Sequence, residues 1–311
     1  MGPDDRSAGA VSPAARQARR ADPADEPTAQ TLAVLGAGTM GHGIAQVAAM
    51  SGFTTRLFDI DGSALSAALE RIETNLEQGI ARQKVAPAQR DAALARLTTG
   101  TDLGEATAGA GIVIEAVPER LELKRSLLSR SAESAAPGAL LASNTSSLSI
   151  ARIAEGVEGP DRVIGMHFFN PVHIMALVEI VQGPETSAAT VRRARDVAGR
   201  LGKTPIVVSD SPGFASSRLG IALGLEAIRM VEEGVASPED IDTAMTLGYR
   251  HPMGPLRLTD LVGLDVRLDI ARYLHRELDS ARFEPPALLE RMVEEGRLGK
   301  KSGEGFYVWE D

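Results

Sequence analysis

Two residues twelve positions apart could carry proton chemistry. His167 ends the apolar run Val163-Ile-Gly-Met-His167, and Glu179 lies in the run Ala176-Leu-Val-Glu-Ile-Val181. Both runs have strand character, and twelve residues are enough for the chain to leave one strand and return beside it. A carboxylate against an imidazole fixes its tautomer and raises its basicity. Such a pair could take the proton of an alcohol while hydride leaves the same carbon. An ordinary strand-end histidine with a satisfied ring would look the same. Asn170 could orient the ring or a substrate carbonyl. Ser143-Asn144-Thr145-Ser146-Ser147 is a polar cluster behind another apolar run. A hydroxyl there could hold an alcohol oxygen, although serines at such a place also cap turns.

A hydride needs an acceptor, and an earlier segment offers one. Gly36-Ala-Gly38-Thr39-Met40-Gly41 follows the short apolar run Leu32-Ala-Val-Leu35 and opens a helical pattern. In G-x-G-x-x-G the first glycine permits the turn, the second admits pyrophosphate to the backbone, and the third lets helix and strand pack closely. The helix N–H groups then face the phosphates. Asp59, about twenty residues on, ends the next strand-like run and could accept both hydroxyls of an adenosine ribose. It would repel a 2′-phosphate, and no arginine directly follows it, which favours NAD over NADP. Arg56 lies inside the strand and need not reach the ligand. The turn alone is also compatible with FAD, or with a tight turn and an exposed Asp.

The elements around these residues alternate. Strands are expected at 32–35, 54–58, 111–115, 140–142, 163–167, 176–181 and 205–208. Helices are expected at about 40–51, 63–81, 87–94, 121–135 and 187–201. This is the order of a mostly parallel sheet covered by helices. From Ser211-Pro-Gly-Phe214 to about Glu295 the pattern is helical, with Leu219, Leu223, Ala227, Met230 and Val231 expected as one buried stripe. Further helices are expected at 240–247 and 265–278. The fold class is α/β. A Rossmann-type NAD-binding domain at 31–210 is followed by an all-helical domain at 211–311, which is apolar enough for a homodimer. Residues 1–30, rich in Ala, Pro, Asp, Arg and Ser, are expected to be a disordered tail.

Composition removes several function classes. With 42 acidic and 33 basic residues, the formal charge of -9 speaks against nucleic acid. The absence of cysteine excludes disulfides, thiolate metal sites and cysteine nucleophiles. No apolar run reaches the length of a membrane helix. No secretory h-region is evident at the start, so a cytoplasmic protein is expected. His167 and His173 lack metal-ligand spacing, and no metal site is expected. No G-x-S-x-G elbow supports a serine hydrolase. His42 is expected to pack or bond near phosphate, His173 is a weaker rival base, and His251 and His275 have no comparable company.

These pieces, taken in order, resemble the L-3-hydroxyacyl-CoA dehydrogenase family. The likeness rests on the glycine turn, Ser143-Asn-Thr-Ser-Ser-Leu148, His167-Phe-Phe-Asn-Pro171 with Glu179, and Ser211-Pro-Gly-Phe214. Gly248-Tyr-Arg-His-Pro-Met-Gly-Pro255, Thr259-Asp-Leu-Val-Gly-Leu-Asp265 and Gly299-Lys-Lys-Ser-Gly-Glu-Gly-Phe-Tyr307 extend it over about 31–309. The length resembles a bacterial form without a fused hydratase half, acting on 3-hydroxybutyryl-CoA. The resemblance implies reversible NAD-dependent oxidation of an (S)-3-hydroxyacyl-CoA to the 3-oxo compound. It implies His167 as general base, Glu179 as its orienter, Ser146 on the substrate hydroxyl and Asn170 on a substrate oxygen. Glu119, Lys124 and Asn144 fall on the cofactor side, and Asn75 and Arg82 at positions contacting CoA. Ser217 stands where the family usually has asparagine, which puts the acyl preference in play. A free hydroxyacid such as L-gulonate is the rival substrate, and a non-enzymatic NAD-binding protein the rival class.

Overall fold

The computed structural model describes residues 30–310. The expectation for the N-terminal tail therefore lies outside the described residues, apart from Gln30. Eight strands form one sheet in the order β3-β2-β1-β4-β5-β6-β7-β8. They are β1 (Thr31–Leu35), β2 (Thr54–Phe58), β3 (Leu97–Gly100), β4 (Ile112–Glu115), β5 (Leu140–Ser143), β6 (Val163–Phe168), β7 (Leu177–Gln182) and β8 (Thr204–Ser209). Every neighbouring pair is parallel except β6 and β7. Strands covered on both faces read as continuous apolar runs, and all six residues of β6 are buried.

Helices α1 (Gly41–Met50), α2 (Gly62–Ala81), α3 (Pro87–Ala95), α4 (Leu103–Thr107), α5 (Leu121–Ser134), α6 (Ile150–Ala154) and α7 (Ala188–Arg200) connect the strands. Leu65, Ala68, Ile72 and Leu76 form the buried stripe of α2, whose start is capped by Asp61 accepting the Ser63 N–H at 2.8 Å. Two apolar clusters fill the sheet's faces, one including Ile44, Ile72 and Ile114, the other Leu35, Val113 and Leu128. Strand β3 and the short helices α4 and α6 were not expected. Leu97-Thr-Thr-Gly100 is an edge strand with both threonines exposed, so it carries almost no apolar signal.

The remaining residues form a helical unit of α8 (Ser216–Glu232), α9 (Pro238–Thr243), α10 (Pro255–Val262), α11 (Leu264–Leu278) and α12 (Ala287–Glu294). A short π-helical stretch, Ala244–Gly248, follows α9. The stripe expected on α8 needs correction. Ile221, Gly224, Leu225, Ala227 and Ile228 are buried, whereas Leu219 is 70% exposed and Leu223 36%. Ala227 is buried as expected, and Met230 and Val231 pack on the core half-buried. Both the Leu219 and the Ile221 series have helical spacing, so periodicity alone could not choose between the two faces. Buried Asp260 accepts the N–H groups of Phe306 and Tyr307 and the Trp309 indole N–H, each at 2.9 Å. That carboxylate fastens the final segment to the helices.

Candidate active site

The loops at the carboxyl ends of β1, β4, β5 and β6 all open on one edge of the sheet, where doubly wound folds bind ligands. Behind β1, Gly36 adopts φ +103°, and a Cβ there would meet the Ala116 carbonyl oxygen at 2.8 Å. A Cβ on Gly41 would fall 1.7 Å from the Gly36 carbonyl oxygen, so helix α1 can approach β1 only with glycine there. Gly38 faces open space. Thr39 and Met40 complete the turn, and the first N–H groups of α1 point out of it. His42 donates from Nδ1 to the Gly38 carbonyl at 2.9 Å in the corresponding tautomer.

Asp59 stands at the end of β2. Its Oδ2 accepts the Ala37 N–H at 2.7 Å and its Oδ1 the Asp61 N–H at 3.1 Å. The carboxylate thus fixes the glycine turn and keeps acceptor capacity for ribose hydroxyls. Arg56 is turned away, donating to the carbonyls of Glu105 (3.0 Å) and Ala108 (2.8 Å). A glycine turn with an acceptor carboxylate beside it has the chemistry to hold NAD.

The antiparallel pairing of β6 and β7 places His167 directly opposite Glu179. His167 Nδ1 lies 2.8 Å from Glu179 Oε2, and both residues are buried. Cross-strand residues share a sheet face, so an excursion of suitable register brings base and carboxylate together. Glu179 also accepts the backbone N–H groups of Ala215 (3.1 Å) and Ser216 (2.8 Å) and the Ser216 hydroxyl (2.9 Å). Burial works against its charge. The bonds from His167 and Ser216 prevail and hold the carboxyl below the usual glutamate range. Phe169 and Phe214 flank the imidazole at centroid distances of 4.6 and 5.8 Å. With Nδ1 engaged, Nε2 is left to exchange a proton.

The serine turn behind β5 is shaped by Glu119. Oε1 of that residue accepts the N–H groups of Ser146 (3.0 Å) and Ser147 (3.2 Å) and the hydroxyls of Thr145 and Ser147. Ser146 is exposed, with its hydroxyl 3.4 Å from the same oxygen. Lys124 is fully buried and grips Glu119 at 3.2 Å, Glu115 at 2.9 Å and the Val117 carbonyl at 3.1 Å. Burial opposes ionisation of Glu119, but Lys124 and the turn's donors win and hold its carboxyl down. Burial pushes the Glu115 carboxyl up against the pull of Lys124 and Ser143. Asn144 accepts the Phe168 N–H at 2.8 Å and so ties the serine turn to the strand bearing His167.

Not every expected residue makes a polar contact at this centre. Asn170 is exposed at a cis Asn170–Pro171 bond, and Ser217 is half-buried in the first turn of α8. Neither makes a side-chain hydrogen bond among the described residues. Asn75 and Arg82 line a separate cavity of about 510 Å³ with Gln46, Lys84, His173 and Lys203. Asn75 donates to Gln46 at 3.1 Å. His173 belongs here rather than beside His167. Burial, with the charges of His42, Lys203 and Arg82, holds its pKa below the ordinary value. Lys203 donates to the carbonyls of Val172 and Met175, bracing the loop that follows β6. The same loop packs on α1, where a Cβ on Gly43 would lie 2.9 Å from Val172 Cβ. The roles of Ser216, Glu115 and Lys203 were not read from the sequence, because Ser216 and Lys203 act on residues distant along the chain and Glu115 joins Lys124 to Ser143, 28 residues away.

Comparison with known proteins gives this geometry a family. The model of the 3-hydroxyacyl-CoA dehydrogenase NAD-binding domain matches residues 31–211, and that of the same family's C-terminal domain matches residues 213–309. A probable 3-hydroxybutyryl-CoA dehydrogenase of Bacillus subtilis is 44% identical over 280 residues, covering 90% of this chain and 97% of that protein. A 3-hydroxyadipyl-CoA dehydrogenase of Escherichia coli is 43% identical over 90% of this chain and 59% of its own length. The crystal structure of (S)-3-hydroxybutyryl-CoA dehydrogenase from Ralstonia eutropha superposes with a TM-score of 0.87 at 39% identity, covering 91% of this chain and all of that one. The chain belongs to the 3-hydroxyacyl-CoA dehydrogenase family.

Proposed function

We propose that the protein catalyses reversible, NAD-dependent oxidation of an (S)-3-hydroxyacyl-CoA, 3-hydroxybutyryl-CoA foremost, to the 3-oxoacyl-CoA. The observation that carries this reading is the His167 ring, with Nδ1 on a buried carboxylate and Nε2 without a hydrogen-bond partner among the described residues. NAD, when bound, accepts the hydride from C3. His167 removes the hydroxyl proton, and Glu179 stabilises the imidazolium that results. Ser146 hydrogen-bonds the reacting oxygen, and Asn170 the thioester side. Glu119, Lys124 and Asn144 shape the cofactor side of the cleft, while Gly36, Gly38, Thr39, Met40, Gly41 and Asp59 hold the dinucleotide. Ser217 meets the acyl end.

The cavity lined by Asn75 and Arg82 supports a CoA thioester over a free hydroxyacid. Lys84 and Lys203 add positive charge suited to phosphate groups, which a sugar acid would not need. We also assign the chain a homodimer through its helical unit. Leu219 of α8, Leu258 and Leu261 of α10 and Val266 of α11 are exposed on helices that pack together. Arg267 beside them has a buried Nε with no partner among the described residues. Among those residues no helix is long and apolar enough to cross a membrane. The compartment we assign is the cytoplasm.

The test is NADH formation from (S)-3-hydroxybutyryl-CoA, its R enantiomer, longer acyl-CoAs and L-gulonate. The S thioester should be strongly preferred. A preference for L-gulonate would overturn the substrate, and no NADH from any of them would overturn the enzyme.

A further inference from the structure

The serine turn is held from two sides, and one of the hands belongs to the helical unit. Tyr273 of α11 donates its hydroxyl to the Ser147 carbonyl at 2.7 Å, across 126 residues of sequence. On the other flank, Glu119 takes the N–H groups of Ser146 and Ser147. The backbone around Ser147 is thus pinned through its N–H by one unit and through its carbonyl by the other. Ser146 is the exposed residue of the stretch Ser143–Leu148, whose other members are buried or half-buried. Immediately beyond, Asp210 at the unit boundary accepts the Ser149 hydroxyl (2.8 Å) and the Ala151 N–H (2.9 Å), so the turn's far end is also fastened. Tyr273 lines a cleft of about 410 Å³ with Glu119, Ser147 and Arg276. Burial and the charges of Glu277 and Asp210 push its hydroxyl upward, so it remains a protonated donor.

We propose that Tyr273 is a positioning residue for the reaction, acting through the Ser147 carbonyl to aim the Ser146 hydroxyl at the substrate oxygen. This rests on the assignment of Ser146 as the substrate contact. A turn with one free carbonyl can rotate its neighbouring side chain, and small misplacements at a reacting centre are costly. The tyrosine couples the docking of the helical unit to the geometry of the reacting oxygen's partner.

The experiment is a cycle of Ser146→Ala, Tyr273→Phe and the double variant, with kcat, KM for both substrates and the thermal midpoint measured for each. Tyr273→Phe should lower kcat about five- to tenfold, the effect of one hydrogen bond, with KM for NAD unchanged. In the Ser146→Ala background the same change should alter kcat by less than about twofold, because there is no hydroxyl left to aim. Multiplying effects would overturn the proposal. So would a normal kcat with a lowered thermal midpoint, which marks an adhesive contact between units. Near-normal turnover of Ser146→Ala would defeat the Ser146 assignment itself. Near-normal turnover of Tyr273→Phe beside a crippled Ser146→Ala would defeat Tyr273 alone.

Discussion

The glycine turn and the serine turn occupy the same edge of one sheet but are built in opposite ways. The glycine turn is local. Its shape follows from Gly36 and Gly41, and its long-range side-chain hydrogen bond, Ala37 to Asp59, spans a single strand–helix–strand unit. The serine turn is assembled from afar, by Glu119, by Lys124 behind it, and by Tyr273 from the other unit. His167 follows the second plan, since its carboxylate partner is steadied by Ser216 at the start of α8. The glycine turn is thus a property of one supersecondary motif, whereas the serine turn and the His167–Glu179 pair draw on contacts from both units.

Breaking each side should therefore give different signatures. The largest effect is expected from His167→Ala, which should reduce NADH formation roughly 10²–10⁴-fold, the range for loss of a positioned proton carrier. Near-normal turnover would remove His167 from its role. Asp59→Ala should weaken NAD about 10- to 100-fold, because charged hydrogen bonds contribute ~1.5–3 kcal/mol. Calorimetric titration with NAD checks this, and the KM for the thioester should stay as it was. Ser216→Ala should lower kcat only about three- to tenfold, since the N–H groups of Ala215 and Ser216 still hold Glu179. Unchanged turnover there would mean that the helical unit does not steady the proton side.

The smallest effect is one of pH on stability. The folded Glu179 carboxyl lies below its ordinary value of 4.5, so its stabilising contribution is complete above that pH and is lost as pH falls through the lower folded value. Glu179→Gln does not titrate. The gap in thermal midpoint between wild type and variant should be wider near neutrality than at acid pH, narrowing as pH falls through the folded value. A gap that stays constant would contradict the sign.

The same contrast explains what the sequence disclosed. Gly36 and Gly41 were legible because the turn's backbone geometry demands glycine there, and Gly38 and Asp59 because a bound dinucleotide would call for those residue types. His167 and Glu179 were legible as a pair because antiparallel strands put residues of suitable spacing face to face. The phase of α8 was not, since its Leu219 and Ile221 faces are both apolar and only packing selects one. Strand β3 was missed because an edge strand of exposed threonines carries no periodic signal. Ser216, Lys203 and Tyr273 left no trace in spacing, because each acts across a tertiary contact and an ordinary surface residue would be written in the same way.

The separation of the two sides is tested most directly by NAD affinity in Asp59→Ala, His167→Ala and the double variant, measured by calorimetry without substrate. His167→Ala should bind NAD as wild type does, and the double variant should bind as weakly as Asp59→Ala alone. If His167→Ala by itself weakened NAD as much as Asp59→Ala does, the histidine would belong to the cofactor cradle, and the division between a local glycine turn and an assembled proton site would fail.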